Sequence, residues 1–565
     1  MMRRGWTVLG LLALAACSGG DDVSKLEKNT CGDVQAGALS TRPGTNDGRE
    51  SFLVRYRSGS RVSAAAVQRL GGEVTAQYRS VPAVAARLTP EERTRLAADP
   101  DVELIEPDVQ LKALRLPTAS AGSVEEYTGS LRMVQAPKVW DANEDGVLDT
   151  GAPVGEGIRV CVIDSGLDRR HPELTIPYAG GYDFVDKDDD PSDETDGVRG
   201  IGHGTHVAGI IAAQLSSGGT TLSGMSRGGM VGVAPGVELL IARVLNVHES
   251  ASIGAVISAL EWCAQNNARI ASLSLGASMD LGKTAREAFQ AAQNKGMLLV
   301  AASGNDSAPD YEAPLSYPAA YPSVLAVGAV DRNEEVAPFS NRGTGLSLVA
   351  PGVNVLSSIS MQGATVSSLD AEGAEYTSRS LFFSPPGEYT GRLVDCGPGE
   401  PYGCKGANVT CEGFVAYVRL TGDARAARAA QNVMRQGARA IIFGTDHSES
   451  ESWMKFLDGP GFVWVPSLAV GRESRAAVLN HLGKPVHVNL RGVDYAEFPG
   501  TSMAAPHVSA VAALVWSARP GLTATEVRTL MERTAKDLGD TGRDTRYGHG
   551  LVQAKAALEA LQQLP

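Results

Sequence analysis

From Ile158 onward, short apolar runs alternate with stretches of helical periodicity, at 158–163, 207–214, 239–245, 253–266, 270–275, 285–294, 297–302 and 324–330. Apolar runs this short read as strands buried on both faces, and the stretches between them as helical crossovers. The alternation predicts an α/β fold: a mostly parallel sheet with helices on both faces. In such a fold the functional groups gather at the carboxyl ends of the strands.

Two segments do not follow this pattern. Residues 51–112 read as strand, helix, strand, helix, strand, with Thr89-Pro90-Glu91-Glu92 as a strong helix start. This predicts a small α+β unit of the ferredoxin-like kind. Residues 362–490 carry their own strands (414–420, 438–443, 463–470, 486–490) around an Ala-rich helix at 424–436, and predict a β-rich insertion domain. The α/β pattern then falls into two parts, 130–361 and 491–562, and the Gly-, Ser- and Thr-rich residues 18–50 read as a linker.

The net charge of -13 over 565 residues excludes a surface built to neutralise nucleic-acid phosphates. At the N-terminus, Arg3 and Arg4 precede an apolar stretch from Val8 to Leu14 that is too short to span a bilayer. It ends in Leu14-Ala15-Ala16-Cys17, which resembles the bacterial lipobox. The expectation is a signal peptide over 1–17, lipidation at Cys17, and an exported lipoprotein, periplasmic or at the cell surface, that touches the membrane through its lipid only. Export permits disulfides. Cys396, Cys404 and Cys411 lie close enough in sequence for one local bridge, whereas Cys161 and Cys263, in apolar surroundings, read as buried small hydrophobes.

Three segments carry chemistry. Asp164 closes the apolar run Val160-Cys161-Val162-Ile163, and taken alone reads equally as a turn residue. His203 opens a helix in Gly202-His203-Gly204-Thr205-His206, its flanking glycines leaving the imidazole uncrowded. The His203/His206 spacing lacks the glutamate and the i, i+4 partner of a zinc-protease helix, so His206 reads as structural. Ser502, in Gly500-Thr501-Ser502-Met503-Ala504-Ala505-Pro506-His507, sits at a helix N-terminus, where it is either a cap or a nucleophile. Pro506 is expected within the first turn, where no intrahelical donor is needed. A serine nucleophile needs a base and a carboxylate to orient that base, and the order Asp, His, Ser is the order of subtilisin.

These three blocks together resemble the signature blocks of the subtilisin-like serine proteases, as do Gly232-Val233-Ala234-Pro235-Gly236 and Tyr547-Gly548-His549-Gly550. The resemblance implies a serine endopeptidase acting on protein or peptide substrates through an acyl-enzyme, with no catalytic cofactor. It implies a triad of Asp164, His203 and Ser502, with Asn305, after the apolar strand 298–302, as oxyanion donor. Substrate would pair by strand addition with Ser274, Leu275 and Gly276, beside a pocket walled by Ala301, Ala302, Ser303 and Gly304. The 51–112 unit would be an inhibitory propeptide removed by self-cleavage between about residues 108 and 130. The insertion is similar to a protease-associated domain.

Asp141, Asn143, Asp145 and Asp149 stand at positions one, three, five and nine of a loop with Gly146 at six, the oxygen spacing of a calcium loop. Position twelve is Ala152, where such loops carry glutamate, so a solvated acidic turn fits as well. The run from Asp186 to Asp196, before His203, is also acid-rich, and reads either as a second cation-binding loop or as a solvated one. Two other functions stay open from residues alone: a surface lipoprotein that binds without catalysis, and an esterase using the same triad.

Overall fold

The computed structural model describes residues 47–60, 62, 64–114, 126–193, 202–215, 229–361, 363–381, 384–404, 413–420, 426–448, 457 and 464–563. The signal peptide, Cys17, most of the linker and Cys411 lie outside these.

The first unit runs β1 (Glu50–Tyr56), α1 (Ala64–Arg69), β2 (Glu73–Gln77), β3 (Ala83–Leu88), α2 (Pro90–Ala97) and β4 (Val102–Pro107), with the antiparallel sheet order β2-β3-β1-β4 of a ferredoxin-like sandwich. Helix α2 starts where its sequence demands. Thr89 Oγ1 accepts from Glu92 N and Glu92 returns a carboxylate to Thr89 N, a complete capping box with Pro90 in the first turn. Next comes β5 (Gln110–Ala113), which leaves this sheet and enters the main domain.

The main domain opens with two short helices, α3 (Gly129–Met133) and α4 (Pro137–Trp140). It continues β6 (Arg159–Asp164), β7 (Tyr178–Asp183), α5 (His203–Ala212), β8 (Glu238–Arg243), β9 (Ser250–Ser252), α6 (Ile253–Gln265), β10 (Ile270–Leu273), β11 (Leu275–Gly276), α7 (Lys283–Asn294), β12 (Leu298–Ala302), β13 (Val324–Val330), β14 (Leu346–Pro351) and β15 (Val355–Ser358). Seven of these strands form one parallel sheet, in the order β14-β13-β12-β10-β6-β8-β7. One core on its first face takes in α5 and the long helix near the C-terminus, and a second core on the other face takes in α6 and α7. The doubly covered parallel sheet is as the alternation predicts. Cys161 of β6 and Cys263 of α6 correct one expectation: they are disulfide-bonded across the sheet–helix layer, not free hydrophobes.

The insertion contains β16 (Ala364–Ala371), β17 (Ala374–Tyr376), β18 (Arg379–Ser380), β19 (Gly387–Asp395), β20 (Phe414–Leu420), α8 (Ala426–Met434), β21 (Ala438–Thr445), β22 (Ser467–Val470), α9 (Arg472–Leu479) and β23 (Pro485–Val493). Among the described residues its strands follow the order β17-β16-β23-β19-β20-β21-β22-β18, with separate cores on the two faces. Cys396 and Cys404 form the expected local bridge. Strands β16 to β19 escape a reading of hydropathy because they are polar on alternate or successive positions, as in Ser367-Ser368 and Glu388-Tyr389-Thr390.

The chain returns through β24 (Tyr495–Phe498), antiparallel to β15, so that a two-stranded stem joins the insertion to the main domain. It ends with α10 (Thr501–Ala518), α11 (Ala524–Thr534) and α12 (Ala554–Gln562).

Candidate active site

Asp164 is the last residue of β6, an interior strand between β10 and β8, and is 1% exposed. Its Oδ1 accepts from Ser165 N at 2.7 Å and faces His203 Nδ1 at 2.6 Å. Its main-chain oxygen accepts from Val244 and Leu245, which hold the strand end rigid. His203 is the first residue of α5. The helix can approach the aspartate turn so closely because Gly204 has no side chain: a Cβ there would fall 2.2 Å from Gly166 O. The flanking glycines thus serve close packing, and His203 is buried, not uncrowded. Its Nε2 has no partner among the described residues. An imidazole held at Nδ1 by a carboxylate and bare at Nε2 is arranged to take a proton at Nε2.

Ser502 lies one residue inside α10, fully buried. Its Oγ donates to Ser274 O at 3.0 Å, and Ser274 Oγ donates to Ser502 O at 2.8 Å. The second bond answers the proline expectation. Pro506 lies beyond the first turn, four residues after Ser502, so it removes the intrahelical donor to Ser502 O and Ser274 Oγ replaces it.

The decisive contact involves a residue the sequence did not single out. Strand β5 lies between β11 and β9, pairing Ala113 with Leu275, Lys112 with Gly276 and Leu111 with Ala251. Leu114 extends the pairing by donating its N–H to Ser274 O at 3.0 Å. Its carbonyl oxygen then accepts from Asn305 Nδ2 at 2.6 Å and from Ser502 N at 3.2 Å. The amide of Asn305 is aimed from behind, because its Oδ1 accepts from Thr501 N and Thr501 Oγ1, each at 2.9 Å. Two N–H donors thus meet one peptide carbonyl at a helix N-terminus, where the dipole favours negative charge.

A family model described as the subtilase family matches residues 155–381 and 471–550. The chain belongs to the subtilase family. It is a subtilisin-like serine endopeptidase, and among its relatives is M-protease of Shouchella clausii (strain KSM-K16), 37% identical over 298 residues, which are 53% of this chain and 67% of that one. Subtilisin Savinase of Lederbergia lenta is 42% identical over 216 residues, 38% of this chain and 71% of the relative. Among solved structures, fervidolysin from Fervidobacterium pennivorans shares the fold, with a TM-score of 0.54 at 22% identity, over 90% of this chain and 61% of that one. The family match breaks off between 381 and 471, within the insertion.

Other candidate residues of this subtilase fall into place differently. Leu275 and Gly276 are β11, paired to β5, and Ser274 precedes it. A Cβ on Gly276 would lie 2.9 Å from Leu114 Cδ1, so the Leu114 side chain rests on this glycine. Ala301 and Ala302 point into the two cores, Ser303 Oγ bonds Asn341 O, and Gly304 N donates to Thr501 Oγ1. His206 is structural: its ring stacks on Phe498 at 4.2 Å and its Nε2 lies 3.1 and 3.0 Å from the carbonyl oxygens of Val355 and Ala496.

Asp141 and its loop are closed by their own hydrogen bonds. Asp141 accepts from Asp145 N, Gly146 N and Tyr127 Oη, Asp149 accepts from Ala142 N, and Asn143 Nδ2 donates to Asp145. No group of three or more His, Cys, Asp or Glu placed to hold a metal occurs among the described residues. The loop as folded does not offer a cage.

Asp193 departs from the reading of its acidic run as solvated. It is buried, accepts from Thr205 N at 3.1 Å and Thr205 Oγ1 at 2.8 Å, and so caps the first turn of the helix that carries His203. Burial pushes its carboxyl above the usual range.

Proposed function

We propose that this subtilase cleaves peptide bonds with Ser502 as nucleophile, His203 as general base and then acid, Asp164 as the carboxylate orienting His203, and Asn305 with the Ser502 N–H as oxyanion donors. One observation carries the reading: the Leu114 carbonyl sits on both donors while its strand is paired to β11, the pose of an acyl group at the point of attack.

In the reaction, Ser502 Oγ leaves Ser274 O and turns to His203 Nε2. That nitrogen takes the hydroxyl proton as Oγ bonds to the carbonyl carbon, and the carbonyl electron pair moves onto oxygen, held by Asn305 Nδ2 and Ser502 N. When the tetrahedral centre collapses, the C–N bond breaks and His203 gives its proton to the leaving amine. Water repeats the sequence on the ester and releases the acid. The Asp164 carboxylate stabilises the imidazolium that forms in each half.

The same contact supports reading the 51–112 unit as an inhibitory propeptide and, within the expected cleavage stretch of about 108–130, Leu114–Arg115 as the bond cut in maturation. Glu106 accepts from Lys283 N and Thr284 N at the start of α7, and Asp108 from Gly254 N at the start of α6, so two carboxylates dock on two helix N-termini. Substrates would replace β5 in the groove. Leu114 and the fully buried Leu111 indicate a preference for apolar side chains at the cut and three residues before it. Upstream, the lipobox-like segment proposes export and anchoring through Cys17, and no helix among the described residues is long and apolar enough to cross a membrane. The insertion, as a protease-associated domain, would govern which substrates reach the groove.

A fluorophosphonate should label the purified enzyme and fail to label Ser502→Ala. With no other protease present, the wild type should yield a chain beginning at Arg115 and Ser502→Ala should stay uncut. Ester turnover without any peptide turnover would reject the endopeptidase roles assigned to these residues. Intact-mass analysis of the N-terminal peptide from the host membrane, with Cys17→Ser as control, reads the lipid.

A further inference from the structure

The turn that presents Asn305 is held from outside its own strand by Asn341 as well as by Thr501. Asn341, in the loop between β13 and β14, is 1% exposed. Its Oδ1 accepts from Asp306 N at 2.7 Å and Ser307 N at 3.1 Å, and its Nδ2 donates to Asp306 Oδ2 at 3.0 Å and Ser316 Oγ at 3.3 Å. Its backbone joins in, donating to Gly304 O at 3.0 Å and accepting from Ser303 Oγ at 3.1 Å. All of these bonds fall on residues that flank Asn305 or on Ser316, which packs beside Gly276 beneath Leu114. The turn and the amide are packed to contact: Gly304 has φ +115°, and a Cβ there would lie 2.1 Å from Asn341 Nδ2.

We propose that Asn341 is a positioning residue for peptide hydrolysis: it locks the 303–307 turn so that Asn305 Nδ2 stands where the scissile carbonyl becomes an oxyanion. The proposal rests on the oxyanion role of Asn305. Among the described residues Asn341 makes no hydrogen bond to Leu114 or β5; its effect passes through the turn. An amide suits the task because one planar group supplies the acceptor for two backbone N–H groups and the donor for a carboxylate. Oxyanion donors work by being aimed before the reaction, and a misplacement of about 1 Å costs about 10²-fold in rate.

The test is a double-mutant cycle on enzyme matured by trace wild-type protease and counted by fluorophosphonate titration, with a peptide anilide carrying leucine at the cut. Asn341→Ala is expected to lower kcat by about tenfold or more with KM little changed, because the interaction it supports is made in the transition state. In an Asn305→Ala background the same substitution should cost almost nothing. An equal loss in both backgrounds overturns the proposal while leaving the oxyanion role intact. Asn305→Ala without effect on kcat overturns the oxyanion role and this inference with it. A second arm does not depend on Asn341→Ala folding. Asn341→Asp reverses the donor to Asp306 and should lower kcat, and adding Asp306→Asn, which restores a donor–acceptor pair of opposite polarity, should recover part of it. No recovery in the folded double variant counts against the proposal.

Discussion

Asn305→Ala should separate binding from chemistry at the level of one residue. Its Nδ2 donates to the Leu114 carbonyl oxygen; in the proposed role that oxygen carries full charge only in the tetrahedral intermediate, so the loss of the amide should fall on kcat by about 10²–10³-fold and spare KM. Steady-state kinetics on one peptide substrate decide it; a loss confined to KM would mean the amide only binds substrate. Asp164, His203, Ser502 and Asn305 stand out in the sequence as candidates through the order and combination of their blocks, since each alone reads as well as a turn, helix or cap residue. Leu114, Thr501 and Asn341 do not, for a physical reason. Leu114 acts through its backbone, which has no sequence signature. Asn341 and Thr501 act through contacts with residues far from them in sequence.

At the scale of elements, the site is an intersection of helix N-termini and strand ends, and the proposed propeptide docks by the same grammar. Glu106 and Asp108 occupy the first turns of α7 and α6, where free N–H groups and the dipole favour a carboxylate. Each cap is worth about 1 kcal/mol. A separately produced propeptide should therefore inhibit the mature enzyme, and Glu106→Ala or Asp108→Ala should each weaken it about fivefold, by the conversion of 1.4 kcal/mol per factor of ten. Inhibition constants unchanged in both variants would show that β5 alone accounts for the docking. Sequence gave fair notice of α2, α5, α6, α7 and the apolar strands, because their periodicity is strong. It missed β7 and β16 to β19, which carry glycines or exposed polar positions and are stabilised by neighbouring strands more than by their own pattern, and also the buried β14 and β15, which are short and interrupted by serines. The Cys161–Cys263 bond was equally hidden, since apolar flanks say that a cysteine is buried but not what it faces.

For the whole molecule, the stem of the insertion is tied into the catalytic layer: β15 and β24 clasp His206 on α5, and β24 runs directly into α10. Two buried histidines at this junction set a pH dependence for the assembled fold. Burial lowers His206 from its ordinary 6.5 to about 3, and lowers His507 to about 4. In the unfolded chain both would bind protons near pH 6.5, whereas in the fold they stay neutral down to those lower values. The unfolded state thus binds more protons between pH 6.5 and about 4, and stability is full above this window and falls on acidification through it. Each histidine contributes at most about 1.4 kcal/mol per pH unit. His507→Asn keeps a donor for Met503 O, which His507 Nδ1 meets at 2.7 Å, and His206→Gln keeps one for the stem carbonyls. In the uncut Ser502→Ala protein, each should be less stable than its parent at pH 8, through lost ring packing, and should close that gap as the pH falls toward 4. Thermal midpoints across that range read the effect. A gap of constant size would mean that these imidazoles do not titrate differently in the folded and unfolded chains. A gap that closes for His206→Gln would identify the stem as one of the acid-sensitive joints between the insertion and the helix that carries His203.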